Sequence, residues 1–129
     1  MLRPMTRSTV TDPNAPKPVG PYSHAAVAPS GALYLSGQTP IDPATGALVE
    51  GDVGEQTRRV FANLESVLTA AGRGFGDVVK VNVYLVDMAD FAAMNRIYET
   101  VFSAPYPART TVAVVGLPLG ARVEIKLVA

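Results

Sequence analysis

Between Val60 and Phe102 the spacing of apolar residues changes twice, and no other property of the chain restricts its fold as much. Val60, Phe61, Leu64, Val67, Leu68 and Ala71 recur at three and four residues, as on one face of a helix, and Gly72 supplies the stop. Arg58, Arg59, Asn63, Glu65 and Ser66 are left for the opposite face. Val79, Val81, Val83 and Leu85 then alternate with Lys80, Asn82, Tyr84 and Val86, the period of a strand with at least one buried face. From about Ala89 to Phe102 the helical spacing returns through Phe91, Met94, Ile97, Tyr98, Val101 and Phe102, with Asp87 or Asp90 as N-cap. Ala104-Pro105-Tyr106-Pro107 ends this helix, because proline cannot continue it.

Short strand-like runs flank this centre. Ser23 to Ala28 and Leu33 to Ser36 lie either side of a turn at Pro29-Ser30-Gly31, and residues 37–51, rich in Gly, Pro and Asp, read as a loop. Thr110 to Val115 and Arg122 to Val128 are joined by a turn over 116–120. The order is strand pair, helix, strand, helix, strand pair. One mixed β-sheet with two helices on one face satisfies it, an α/β two-layer sandwich. Residues 1–129 make a single domain, in which 1–16, continuing to about 20 and carrying Pro4, Pro13, Pro16 and Pro18, read as an irregular N-terminal arm.

Composition narrows the chemistry. The 48% hydrophobic and 17% charged content is that of a globular chain, and so small a charged fraction points towards an oligomer that covers some apolar surface. With no cysteine and a single histidine, thiolate nucleophiles, zinc–cysteine sites and multi-histidine metal sites are excluded. Eleven basic residues balance eleven acidic ones, with no basic patch of the kind that drives nucleic-acid binding. The chain begins without an apolar signal region and has no stretch of membrane-spanning length, so a cytoplasmic protein is expected.

A few polar residues are placed where they could do chemistry. Arg109 follows Pro107-Ala108 at the mouth of a strand, and its fork matches a carboxylate at two points. An arginine so placed could equally be a surface residue or an ion-pair partner. Glu124 shares a strand face with Arg122 and Lys126, where it could orient a water as general base or simply face solvent. Tyr22, after Gly20-Pro21, could line a pocket or merely pack, and Gly37, after Ser36, permits close approach of a ligand or a bend. Asn95 lies beside an apolar stripe and needs partners, and His24 has no neighbours suited to a catalytic triad. No glycine-rich phosphate loop occurs.

Taken together, Gly20-Pro21-Tyr22, Leu35-Ser36-Gly37-Gln38, Ala70-Ala71-Gly72, Gly76-Asp77-Val78-Val79-Lys80, Asp90-Phe91 through Asn95, Tyr98-Glu99, Pro107-Ala108-Arg109 and Val123-Glu124-Ile125 resemble the Rid/YjgF family from about residue 17 onwards. This resemblance implies a chorismate-mutase-like fold, assembly as a homotrimer with sites between subunits, and hydrolysis of reactive 2-imino or enamino acids to 2-keto acids and ammonia without a cofactor. It implies that Arg109 pairs with the substrate carboxylate, that Glu124 serves the attacking water, and that Tyr22, Ser36, Gly37 and Asn95 line the pocket. Thr110 and Thr111 follow the arginine where family members often carry a cysteine, and Thr111 can offer its N–H and hydroxyl to a carboxylate. The segment between Asn95 and Arg109 is also shorter. A non-catalytic trimer that binds small carboxylates, or an endoribonuclease, are the other functions the family makes available. Only the last would need a nucleic-acid partner, and none of the three needs a membrane.

Overall fold

A computed structural model describes residues 6–129. Its strands are β1 (Ser8–Val10), β2 (Ala25–Val27), β3 (Leu33–Leu35), β4 (Lys80–Leu85), β5 (Ala108–Ala113) and β6 (Val123–Val128), and its helices are α1 (Val53–Ala70) and α2 (Phe91–Val101). They form one six-stranded sheet in the order β1-β2-β3-β6-β4-β5. β4 and β5 are parallel, because α2 carries the chain back to the starting edge between them, and the other pairings are antiparallel. The mixed sheet with two helices expected from the spacing is therefore present.

The alternation in β4 becomes a physical division. Val81, Val83 and Leu85 are fully buried, as are Val123 and Ile125 of β6. They pack in one core with Val60, Leu64, Val67 and Leu68 of α1 and Met94 of α2. Each such side chain contributes about 1.5–3 kcal/mol by leaving water. The opposite face of the sheet carries Tyr34, Tyr84, Glu124, Lys126 and Val112, and Tyr34 and Val112 lie exposed on it. Between the helices, Phe61, Phe75, Tyr98 and Phe102 form a chain of ring contacts with centroids from 4.8 to 6.1 Å apart.

Besides Val79, which stands before β4 and is exposed rather than part of its buried row, three further details differ from the sequence reading. The irregular arm over 1–16 is corrected: Ser8, Thr9 and Val10 pair with Val27, Ala26 and Ala25 as an edge strand. Such a strand takes its register from the partner's free N–H and C=O groups, which a local pattern does not reveal. The part of that arm over residues 1–5 lies outside the described residues. Beyond β1 the chain stays irregular but tightly held. His24, almost fully buried, accepts from the Asp12 N–H at Nδ1 (3.0 Å), so Nε2 carries the proton and donates to the Pro16 carbonyl at 2.8 Å. Helix α1 also begins earlier than its apolar stripe, at a cap in which the Asp52 carboxylate accepts from the Glu55 N–H.

The third difference is Asn63, which is fully buried rather than on the solvent face. Its amide donates to the carbonyls of Thr39 at 3.2 Å and Ile41 at 2.9 Å, anchoring the 37–51 loop to α1. Asn63→Ala is expected to lower stability by about 2 kcal/mol, since two buried carbonyls lose their donor. Chemical denaturation would show this as a lower midpoint with an unchanged slope.

Candidate functional site

Arg109 is the second residue of β5, opposite Val81 in the parallel pairing, so its side chain leaves the sheet on the helix side. There α2 meets it. The guanidinium donates through Nη1 to Asn95 Oδ1 at 2.7 Å and lies over the rings of Tyr98, 4.6 Å from the centroid, and Phe91, at 5.5 Å. Asn95 and Tyr98 can both serve it because residues three apart lie on one helix face. Among the described residues Arg109 forms no ion pair, while Arg58 and Arg122 pair with Glu55 and Asp90. The group is thus held in place from behind by uncharged partners, its charge left for something else. A hollow of about 330 Å³ opens at it, lined by Asn95, Tyr98, Glu99, Tyr106, Pro107 and Arg109.

Two polar atoms nearby are buried without a partner, the Tyr98 hydroxyl and Thr111 Oγ1. Thr111 sits two residues along β5 on the same face as Arg109, opposite Val83. Burial raises the Tyr98 phenol above its usual pKa, with Arg109 acting in the opposite direction.

Glu124 is built differently. It pairs with Tyr84, on the face of the sheet turned away from the helices. Its carboxylate lies against Gly37: a Cβ on that glycine would stand 2.7 Å from Oε2 and 3.0 Å from Cδ. The backbone of Gly37 is outside the left-handed region, so the glycine is needed for space rather than for conformation. Half-buried there, Glu124 has a pKa raised by desolvation, which Lys126 partly offsets. A hollow of about 50 Å³ beside it is lined by Tyr22, Gly37 and Leu119 among others. The Tyr22 hydroxyl accepts from the Val19 N–H at 3.2 Å, and Ser36 Oγ donates to the Ser23 carbonyl at 2.6 Å. These bonds tie the Gly-Pro-Tyr turn and the end of β3 around the carboxylate.

The residues singled out in the sequence therefore fall into two groups. Arg109, Asn95 and Thr111 gather on the helix side of β5; Tyr22, Ser36, Gly37 and Glu124 gather at the far face, with β4 between. Neither hollow shares a lining residue with the other. Sequence reasoning placed Tyr98 in the apolar stripe and in a family motif but missed it as the platform under Arg109, although its three-residue spacing from Asn95 was visible. It also passed over Leu119 on the rim beside Glu124. Among the described residues no cluster of three or more His, Asp or Glu side chains could hold a metal, and no helix is long and apolar enough to cross a membrane.

Sheet, crossover helix and an arginine without an ion-pair partner among the described residues together mark a two-layer α/β protein. A family model described as Endoribonuclease L-PSP matches residues 12–129. The chain belongs to this family, the Rid/YjgF group that its motifs resemble. It is 50% identical over 116 residues to a RutC family protein of Pyrococcus horikoshii, covering 90% of this chain and 91% of the relative. A mouse protein named 2-iminobutanoate/2-iminopropanoate deaminase is 44% identical over 123 residues, 95% of this chain and 90% of the relative. The solved structure of YyfA from Yersinia pestis, described as a protein of unknown function of the conserved Rid family, superposes with a TM-score of 0.92. It is 42% identical, over 96% of this chain and 98% of that one.

Proposed function

We propose that this protein hydrolyses 2-imino acids to 2-keto acids and ammonia, as a homotrimer whose sites form between subunits. The observation that carries the proposal is Arg109, oriented by Asn95 and Tyr98 yet unpaired by any carboxylate among the described residues. The name of the mouse relative supports the reaction. The division of the site supports the assembly: Arg109 and Glu124 leave opposite faces of one sheet, so they reach one substrate only when the Arg109 edge of one subunit meets the Glu124 face of another. Exposed Tyr34 and Val112, on the face that no helix covers, supply apolar surface for such a contact.

The chemistry asks little of the residues present. With the substrate carboxylate on Arg109, C2 of the iminium is brought up to a water held by Glu124. Thr111, whose hydroxyl is buried and which does not line the hollow, stands behind the Arg109 contact on the same strand face. Glu124 takes a proton from that water as its oxygen bonds to C2, and the C=N π pair moves to nitrogen. With the substrate in its protonated, iminium form, that proton then passes from Glu124 to the nitrogen. The C–N bond breaks as an oxygen pair moves in to form C=O, ammonia leaves, and Glu124 takes the hydroxyl proton to complete the keto group. An iminium carbon is already electrophilic, so orientation and proton transfer suffice.

The experiment couples an amino-acid oxidase or a serine dehydratase to the full chain and follows loss of the imine trapped as semicarbazone. Faster hydrolysis than in buffer alone is expected. No acceleration across several amino acids would overturn the proposal, and tight binding of 2-keto acids without turnover would replace it with a carboxylate-binding role. RNA cleavage, the activity in the family description, is disfavoured by the zero net charge and by His24, whose two ring nitrogens are both committed to backbone groups.

Gly37→Ala tests the contact on Glu124. Only the end of a flexible side chain must move, so the fold is expected to survive with a cost of about 1 kcal/mol or less. The displaced carboxylate should lower kcat/KM by roughly tenfold or more. The same change made on top of Glu124→Gln should add almost nothing, and a double-mutant cycle measures this coupling.

A further inference from the structure

Arg122 stands just before β6, and three of its polar groups each join a different element. Its N–H donates to the buried Gln56 Oε1 of α1 at 2.9 Å, and its carbonyl accepts from the Val86 N–H, just beyond β4, at 3.3 Å. Its guanidinium donates through Nη2 to Asp90 Oδ1 at 2.7 Å. Asp90 is the residue from which α2 starts. An aspartate there ordinarily accepts from N–H groups of the first helical turn, yet this one makes no such bond and gives its carboxylate to Arg122. Its side chain is only 11% exposed, and Oδ2 is buried without a partner among the described residues. A buried carboxylate satisfied at one oxygen is a poor stabiliser, because desolvation offsets most of the attraction. What such a pair does well is fix a position, here the place where α2 begins.

From these observations we infer that the Asp90–Arg122 bridge is a positioning device for Arg109. The inference rests on the proposed role of Arg109 in holding the substrate carboxylate. Among the described residues, the side chains that orient the guanidinium are Phe91, Asn95 and Tyr98, and all three belong to α2. Phe91 directly follows Asp90, and Asn95 lies one turn further on the same helix face. A displaced start of α2 therefore displaces the bed of Arg109. A fork that must meet two carboxylate oxygens tolerates little of such movement. The other end of the bridge is well anchored, since Arg122 leads into a strand held between β3 and β4 and its own backbone is bonded to α1. The C-terminal half of α2 is fixed instead by the packing of Tyr98 and Phe102 against Phe61, so the bridge acts where that aromatic contact does not reach.

The test compares wild type with Asp90→Ser, Arg122→Met and Arg122→Lys. Two quantities are read: the calorimetric affinity for 2-oxobutanoate, and KM and kcat for the imine made in situ from 2-aminobutanoate. Serine still caps a helix but is too short to reach Arg122, so Asp90→Ser is expected to fold with little change in Tm. Asp90→Ser and Arg122→Met should each weaken 2-oxobutanoate binding and raise KM by about tenfold, with kcat within about threefold of wild type. Combining the two should cost no more than the worse of them, because they break one contact. Arg122→Lys keeps a cation opposite Asp90 and should stay within about twofold of wild type. Affinity and KM within about twofold of wild type in both Asp90→Ser and Arg122→Met, with hydrolysis intact, overturn the inference and leave the reaction standing. So does a fall in Tm with unchanged affinity, which would make the bridge a structural brace only. If wild type binds 2-oxobutanoate but hydrolyses no imine, the reaction is rejected, and the same loss of affinity in the variants sustains the bridge. Wild type that binds no 2-oxobutanoate removes the role of Arg109 and the inference with it.

Discussion

Arg109→Ala is expected to reduce kcat/KM for imino-acid hydrolysis by roughly 10²- to 10³-fold, the effect of losing a two-point, charge-assisted contact in a partly desolvated hollow. The loss should appear mainly in KM if the contact is equally strong in ground and transition states, and in kcat if the carboxylate must be held to align C2 with the water. Steady-state kinetics separates the two. Stability should change little, by about 1 kcal/mol, because among the described residues the side chain makes one hydrogen bond and stacks on Tyr98 and Phe91 but supports no ion pair. Arg109→Lys is expected to stay within about tenfold of the alanine variant: an ammonium is a point charge that can neither lie flat on Tyr98 nor bridge both carboxylate oxygens. Recovery to wild-type kinetics with lysine would mean that positive charge alone is required.

Glu124→Gln should have the second largest effect, a fall of roughly 10²-fold or more in kcat/KM at neutral pH, the usual worth of a general base. The pH dependence gives it a signature. Glu124 must be ionised to accept a proton, and burial against Gly37 raises its pKa, so activity should fall on acidification through a limb above the ordinary glutamate value of about 4.3. That limb should be absent from the residual activity of the glutamine variant. The effect on stability has the opposite sign. A carboxyl whose pKa is higher in the folded than in the unfolded chain favours folding below the unfolded value, and this advantage disappears as pH rises through the folded one. Ionised Glu124 is therefore a liability at neutral pH, and Glu124→Gln should raise Tm at pH 7 with the gain shrinking towards pH 4. A variant that lost activity and Tm together at pH 7 would mark Glu124 as a structural residue.

Much of the scaffold was legible because its signals are local. The three-and-four spacing of α1 and α2 and the alternation of β4 record which residues share a face, and burial follows directly. Motif order then pointed to Arg109, Asn95, Thr111, Tyr22, Ser36, Gly37 and Glu124. What local pattern could not show was partnership. Asn63 reads as a polar position on α1 until the 37–51 loop folds over it and takes its two donors. Ser8–Val10 has no strand signature of its own, and becomes one only beside β2.

The amino-acid order thus decided the elements, their amphipathic faces and the chemistry available: one arginine behind a proline, one glutamate in the last strand, no thiol and no histidine cluster. Only the tertiary structure decided how these groups stand to one another. Strand pairing put Arg109 level with Val81 and Glu124 level with Tyr84, residues three apart in β4 and so on opposite faces of the sheet. The same folding pressed Glu124 onto Gly37, laid Arg109 across Tyr98 and set Leu119 on the rim. Periodicity is a property of neighbours along the chain, whereas register, desolvation and close approach depend on residues that meet only once it has folded.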